Sequence, residues 1–428
     1  MTVQEMLQKT IQAVALPALT TLERLQTGVS YNPLAEGYRT DPYPQYRALQ
    51  TRDPFHRTRL ADGWVLTRHE HVSAAARDGR FFTDERKHPL YEKRRAQLVK
   101  AGARGEEPQV PSMLRLDPPD HTRLRSLVSK AFTPRTVEQL RPRAEALVQE
   151  LLDEVQAAGR MDVIKDLANP LPVVVIAELI GVPPEDREKL KRWSDDIVLA
   201  ISGLQTIDGI RRSRAAGEEM RAYLEGVAEE RRREPREDLI SALLTAEEEG
   251  DRLSMDEVFS TCILLLVAGH ETTTNLIGNG LLALLQHTDQ MELLRNDSSL
   301  IENAVEELLR YDSPVQLTGR FVLEDMEMAG QSLKAGQQVI LLLGAANRDP
   351  EKFSDPDRLD ITRDNSSQHL SFSHGIHACL GAPLARLEGQ VVFQALGERF
   401  PEMRLATDRL KWGEGLILRG LEELPVTF

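Results

Sequence analysis

Residues 372–381 read Phe372-Ser-His-Gly-Ile-His-Ala-Cys-Leu-Gly381, and they hold one of only two cysteines in a chain of 428 residues. Two glycines and two histidines bracket Cys379, and a helix-like run from Ala382 to Phe400 follows at once. A lone cysteine is commonly a small buried hydrophobe. The alternative is a thiolate that ligates a metal, and the neighbours favour it. Gly375 and Gly381 allow close backbone approach to a bulky group, or a turn with positive φ. Gly381 with Pro383 suits a turn that leads into a helix. Backbone amides at such a turn can point at an anionic sulfur.

The metal is a separate question. His374, His377 and Cys379 are all potential zinc ligands, but zinc sites usually place their ligands in spaced pairs, and a second pair is missing here. A haem iron takes a single protein thiolate and fits the loop better.

Composition bounds the rest. Hydrophobic content of 41% and charged content of 28% are those of an ordinary soluble globular chain. Acidic residues number 67 against 53 basic ones, a net charge of −14. This balance argues against nucleic acid as the main partner. Two cysteines form no disulfide framework and fit a reducing cytoplasm. The start, Met1-Thr-Val-Gln-Glu-Met, lacks the basic and apolar runs of a secretion signal. The longest apolar run, Cys262 to Gly269, is too short to span a membrane. A cytoplasmic monomer is expected.

No repeat or long linker divides the chain, so one large domain is expected over 31–428, with residues 1–30 as an N-terminal extension. Trp64 to Thr67 reads as a strand and His69 to Asp78 as a helix. Helical periodicity dominates from 134 to 310, broken at Asn169-Pro-Leu-Pro172, at Gly181 and near Gly203. Ser254-Met-Asp-Glu257 is a capping box that opens a long apolar helix over 255–286, and Ser299-Leu-Ile-Glu302 reads as a second box. Val315 to Leu343 is strand-like with turns at Gly330 and Gly336, and Gly415 to Phe428 reads as a short hairpin. The charged connection from Phe82 to Leu116 is either a solvated face or a mobile lid.

The long helix carries a second constellation. Its apolar first half ends in Ala268-Gly-His-Glu-Thr-Thr-Thr274, and Leu276, Ile277, Leu281 and Leu282 restore the apolar character. Glycine costs about 1 kcal/mol in a helix interior, and a buried carboxylate costs more unless paired. A functional notch explains the cluster: small residues leave room for a ligand, and adjacent acid and alcohol groups can relay protons. A third feature, Glu307 and Arg310 at i, i+3, says little alone.

Together and in this order, these segments resemble the cytochrome P450 family of haem–thiolate monooxygenases in its soluble bacterial form. Residues 372–381 match the family's cysteine-ligand loop, F-x-x-G-x-H-x-C-x-G, at every defined position. Ala268 to Thr273 is similar to its oxygen-activation helix, Glu307-Leu-Leu-Arg310 to its E-x-x-R pair, and Asp355-Pro-Asp-Arg358 to the meander that follows. The likeness spans nearly all of the chain after residue 30.

The resemblance implies a mainly α fold with small β-sheets and a haem b between the long helix and the cysteine loop. Cys379 would be the axial thiolate. Glu271 would deliver protons through water, and Thr272 would bond the bound oxygen. His121, Arg125, Arg320 and His377 would hold the haem propionates, while Ala268, Gly269, Phe372, Gly375 and Gly381 would lie against the cofactor. Glu307, Arg310 and Arg358 would form a structural lock, and Leu359 and Ser373 depart from common family residues only in packing. Leu264, Val267, Val315, Leu317 and Ile417 would line the substrate pocket, with lid segments at 82–116 and 175–215. One atom of O2 would enter an apolar organic substrate by hydroxylation or epoxidation. Electrons would come from a ferredoxin or flavodoxin with its NAD(P)H-dependent reductase, because no nucleotide-binding fingerprint is present. The donor would dock near Arg123, Lys130, Arg135 and Arg386. A peroxide-driven peroxygenase and a non-catalytic haem sensor or carrier are the alternatives, and both leave the acid–alcohol pair without a purpose. His374 has no assigned role.

Overall fold

A computed structural model describes residues 16–60, 62–100, 112–129, 132–198, 207–248 and 253–428. The helix Met255–Gln286 organises it. Ser254 accepts from Glu257 N and the Glu257 side chain accepts from Ser254 N, so both halves of the expected capping box form. Most of the helix is buried, as its nearly all-round apolar sequence requires. The helices Pro170–Ile180, Arg187–Val198, Ile207–Arg233, Ile301–Tyr311 and Ala382–Arg399 pack around it. Gly181 ends Pro170–Ile180 in the left-handed region at φ 100°, the usual cap for a helix C-terminus. The break expected near Gly203 lies outside the described residues.

A five-stranded sheet flanks the helices. Its order is Phe55–Thr58, Gly63–Leu66, Gln338–Leu342, Leu317–Val322, Phe81–Phe82. Gly63–Leu66 runs parallel to Gln338–Leu342, and the other neighbours are antiparallel. Arg320 pairs in register with Val339, which buries it on the core side of the sheet. The architecture is mainly α with small sheets.

Two local expectations fail. Ser299 does not cap the helix Ile301–Tyr311; a 3-10 turn, Ser298–Leu300, precedes that helix, and Asp297 caps the turn by accepting from Ser299 N. The C-terminal segment is not a hairpin. Leu421–Glu423 pairs with Lys411–Trp412, whereas Pro425–Thr427 pairs with Arg160–Asp162 and Arg404–Leu405. Long-range partners outcompete the local turn that the glycines suggested.

The first described helix, Leu16–Thr27, is tied to the body through Glu23. This buried carboxylate accepts from Tyr31 N, Thr58 Oγ1 and Arg59 N, and it faces His56 Nε2 at 3.2 Å. Asp53 Oδ2 lies 2.9 Å from the other ring nitrogen of His56. Burial alone would lower the His56 pKa, but the two carboxylates raise it to about 9.

The lock has a different membership from that expected. Glu307 and Arg310 are fully buried and form a bidentate pair at 2.6 and 2.8 Å. Arg363, not Arg358, supplies the second guanidinium, with Nε 3.2 Å from both Glu307 oxygens. Arg358 is exposed and contributes only its carbonyl, which accepts from Arg310 and Arg363. The remaining donors of the two guanidiniums go to the carbonyls of Asn347, Ser354, Asp355 and Pro356.

Two outcomes are expected. Arg363→Ala should lose about 3 kcal/mol by leaving Glu307 and Arg310 under-compensated in the core, while Arg358→Ala should stay within about 0.5 kcal/mol; chemical denaturation of both variants checks this. The His56 clamp is fully formed below the unfolded histidine pKa, and its contribution disappears as pH rises through about 9. Unfolding followed from pH 6 to 9.5 should therefore show a decline, on the order of 2 kcal/mol, that His56→Gln flattens.

Candidate active site

The cysteine loop is held from several sides. Cys379 N donates to Phe372 O at 2.8 Å, which closes it, and a 3-10 turn spans Gly375–His377. Gly375 sits at φ +73°, and a Cβ there would lie 2.3 Å from Ala76 O. Its lack of a side chain thus serves packing against the helix His69–Arg77, not contact with a cofactor. Gly381 has ordinary φ, −79°, and a Cβ there would stand 4.0 Å from the cysteine sulfur. His374 gains a place: its Nδ1 is 2.9 Å from Ser73 Oγ, which also accepts from Arg77. His377 Nε2 is 3.2 Å from Thr83 Oγ1 and 3.9 Å from Asp117. His374 is thus committed to Ser73, and no group of three His, Cys, Asp or Glu among the described residues could hold a metal ion, which leaves the zinc alternative without support.

Cys379 is solvent-accessible and stands just before the first turn of Ala382–Arg399. Protein surrounding the sulfur raises the thiol pKa; bonds from the Gly381 and Ala382 amides and the charges of Arg125 and Arg386 pull the other way. These are the groups that stabilise a thiolate. A ligated cation would complete the deprotonation.

On the central helix, Leu264, Ala268, Glu271 and Thr272 share a face at i, i+4, i+7, i+8. Ala268 is exposed although 265–267 and 273–284 are buried, so this face borders open space, a hollow beside the helix. Gly269 does not: a Cβ there would meet Ile176 at 3.4 Å, so its small size serves helix–helix contact. Thr272 Oγ1 donates to Ala268 O at 2.7 Å. Burial, then the charge of Asp195, raise the Glu271 carboxyl to about 7. Thr273 turns the other way and bonds Glu388, a fully buried carboxyl pushed up to about 8 by burial, with Oε1 left unpartnered. Sequence reasoning missed Glu388. Its signal was an acid between Leu387 and Val391 in an apolar helix.

Four residues are expected to hold the propionates. The rings of His121 and His377 are 4.5 Å apart. Arg125 donates to Ala378 O at 2.6 Å. Arg320 is 4% exposed and bonds only Thr318 Oγ1 and Gly319 O; it has no carboxylate within 4 Å among the described residues. Burial pulls its pKa down to about 10. His121 Nδ1 is buried and unpartnered, and burial with the nearby His377 and Arg125 holds that ring at about 4. A buried guanidinium without a carboxylate, Arg320, and a buried imidazole nitrogen without a partner, His121 Nδ1, suit an anionic ligand that accepts hydrogen bonds. The residues fit a haem with its thiolate iron ligand and two carboxylates.

The pocket candidates divide. Val267 is buried, whereas Leu264, Val315, Leu317 and Ile417 are partly exposed. Gln316 N donates to Ile417 O at 2.8 Å, which sets 315–317 beside 417. Of the docking candidates, Arg123 pairs with Glu257 and Arg386 with Glu306, so neither is an uncommitted surface charge. Arg135 is exposed, and Lys130 lies outside the described residues. So do parts of both lid segments, 101–111 and 199–206.

The cytochrome P450 family model matches residues 86–403. Cytochrome P450 CYP107DY1 of Priestia megaterium is 45% identical over 379 residues, 86% of this chain and 90% of that protein. Vitamin D(3) 25-hydroxylase of Pseudonocardia autotrophica is 44% identical over 417 residues, 96% of this chain and 98% of that protein. The crystal structure of P450BioI, in complex with an acyl carrier protein ligated to hexadec-9Z-enoic acid, superposes with a TM-score of 0.84 at 42% identity, covering 92% of this chain and all of that one. With the match extending over most of its length and including its cysteine loop, this chain belongs to the cytochrome P450 family and is a monooxygenase that acts on organic substrates.

Proposed function

We propose that Cys379 is the axial thiolate of a haem b, and that residues 31–428 work as one unit to oxidise an apolar substrate held between the central helix and the 315–317 strand entry. The reading is carried by the accessible Cys379, whose sulfur is capped by two helix amides, together with the buried Arg320, which has no carboxylate within 4 Å among the described residues. When bound, the haem supplies the O2 activation and atom transfer that amino-acid side chains lack. The chain supplies the rest. Arg320, His121, Arg125 and His377 receive the propionates. Leu264, Ala268, Val315, Leu317 and Ile417 present apolar surface, which selects by shape and excludes water.

Protons are handled by the notch. Thr272 must release its bond to Ala268 O to donate into the hollow. Glu271, with its pKa near 7, can both hold and give a proton at neutral pH. Glu388 keeps its proton at the same pH and backs Thr273 from behind. Electrons come from a ferredoxin or flavodoxin with a reductase; the sequence holds no nucleotide-binding fingerprint of its own. No described helix is long and apolar enough to cross a membrane, and we place the enzyme in the cytoplasm as a monomer. The relative vitamin D(3) 25-hydroxylase and the acyl-carrier-bound P450BioI motivate a screen of sterols and long acyl chains.

Cys379→Ser should abolish the strongly red-shifted Soret band of the ferrous–CO complex; a variant that keeps this band would refute the axial assignment. Thr272→Ala should keep haem and that band while product per NAD(P)H falls at least fivefold and peroxide rises. Glu271→Gln should slow turnover by about 10²-fold. In the wild type, product yield should fall as pH rises through about 7 and Glu271 loses its proton, and the variant should lack this step.

A further inference from the structure

Glu306 adjoins the lock residue Glu307 in sequence but serves a different partner. Its carboxylate receives a bidentate fork from Arg386, with Nη2 at 2.9 Å from Oε2. The Arg386 guanidinium lies 4.6 Å from the centroid of the Phe372 ring. His369 approaches the same carboxylate, with Nε2 3.3 Å from Glu306 Oε2 and its ring 5.6 Å from that of Phe372. Phe372 in turn holds Cys379 by its carbonyl at 2.8 Å. A carboxylate, a guanidinium and an aromatic ring are thus stacked in order against the cysteine loop. Burial alone would raise the Glu306 carboxyl, but Arg386 and His369 hold it at about 2, so the pair is ionic at any working pH. Glu306 is only 9% exposed, and charges in such a setting act over longer distances than they do in water. The Arg386 charge reaches Cys379 itself.

We propose that Glu306 and Arg386 form a charge pair that sets the electron affinity of the iron held by Cys379. Reduction adds one electron from the external donor and makes the site more negative by one unit. Arg386 favours that state, and Glu306 offsets part of its effect. Both are positioning residues, since neither touches substrate or the reacting atoms. The inference rests on Cys379 being the ligand. It also gives Arg386 a task other than docking the electron donor.

The test is a mediated optical reduction titration of the holoenzyme, comparing wild type with Glu306→Gln, Arg386→Gln, Arg386→Lys and the double variant E306Q/R386Q. At a fixed poise the ferrous-to-ferric ratio should rise three- to tenfold in Glu306→Gln and fall by a similar factor in Arg386→Gln. Arg386→Lys and the double variant should stay close to wild type. A purely structural pair would shift both single variants the same way, or neither, and either result overturns the proposal. If Arg386→Gln fails to bind haem, an unshifted Glu306→Gln overturns it alone. The ferrous–CO spectrum of each sample separates the two assumptions: loss of the thiolate band in wild type refutes Cys379 as ligand, whereas same-direction shifts under an intact band refute only the charge pair.

Discussion

An anionic sulfur largely enclosed by protein atoms must have its charge met, because even partial removal of an ion from water is costly. The Cys379 region is arranged around that constraint. Burial disfavours the thiolate, and the opposing groups come from three places: the amides that open the helix Ala382–Arg399, Arg125 on Asp120–Ser129, and Arg386 one turn further on. None of these can act unless the loop 372–379 keeps its shape. That shape depends on an outer brace, where Gly375 lies against the backbone of Ala76 and His374 is fixed through Ser73 and Arg77.

The segment before the loop has little regular structure, so its backbone groups must find side-chain partners. Residues 347–363 solve this with the lock. One carboxylate, Glu307, faces two guanidiniums, and the excess positive charge is spread over the carbonyls of Asn347, Ser354, Asp355, Pro356 and Arg358. Asn303 adds a bond to Ile361 O, and Gln290 accepts from Ile361 N. The charged core therefore replaces the ladder that a strand would have supplied. It also explains why the charges are tolerated in the core: each donor of Arg310 has a partner.

Features set by short-range chemistry were legible in the sequence. The Ser254 cap, the long helix, the Gly181 stop and the Cys379 turn each need only a few neighbouring residues, and all form as read. Features decided at long range were not. Ser299 carried a good capping signal, but Asp297 two residues earlier captured its amide. Arg358 and Arg363 are both arginines on one irregular segment, and only the path of the chain decides which one turns inward. Gly269 and Gly375 suggested cofactor room, yet their absent side chains make space for Ile176 and Ala76. Glu388 and Arg386 could not be placed, because their partners, Thr273 and Glu306, are more than 70 residues away.

Thr272 and Thr273 show how one helix separates two tasks. Successive residues on a helix point about 100° apart, so two adjacent alcohols cannot face the same side. Thr272 looks into the hollow beside Glu271, and Thr273 looks into protein beside Glu388. The carboxyls they accompany have their pKa values raised to about 7 and about 8, in both cases chiefly by burial. At neutral pH the first is poised to exchange its proton and the second retains it. An ionised Glu388 would be a buried, half-satisfied charge at the crossing of the helix that carries the alcohols and the helix that follows the cysteine loop. Keeping it neutral lets those helices pack closely, and so the distance from the notch to the sulfur is fixed by the same crossing that hides the second acid.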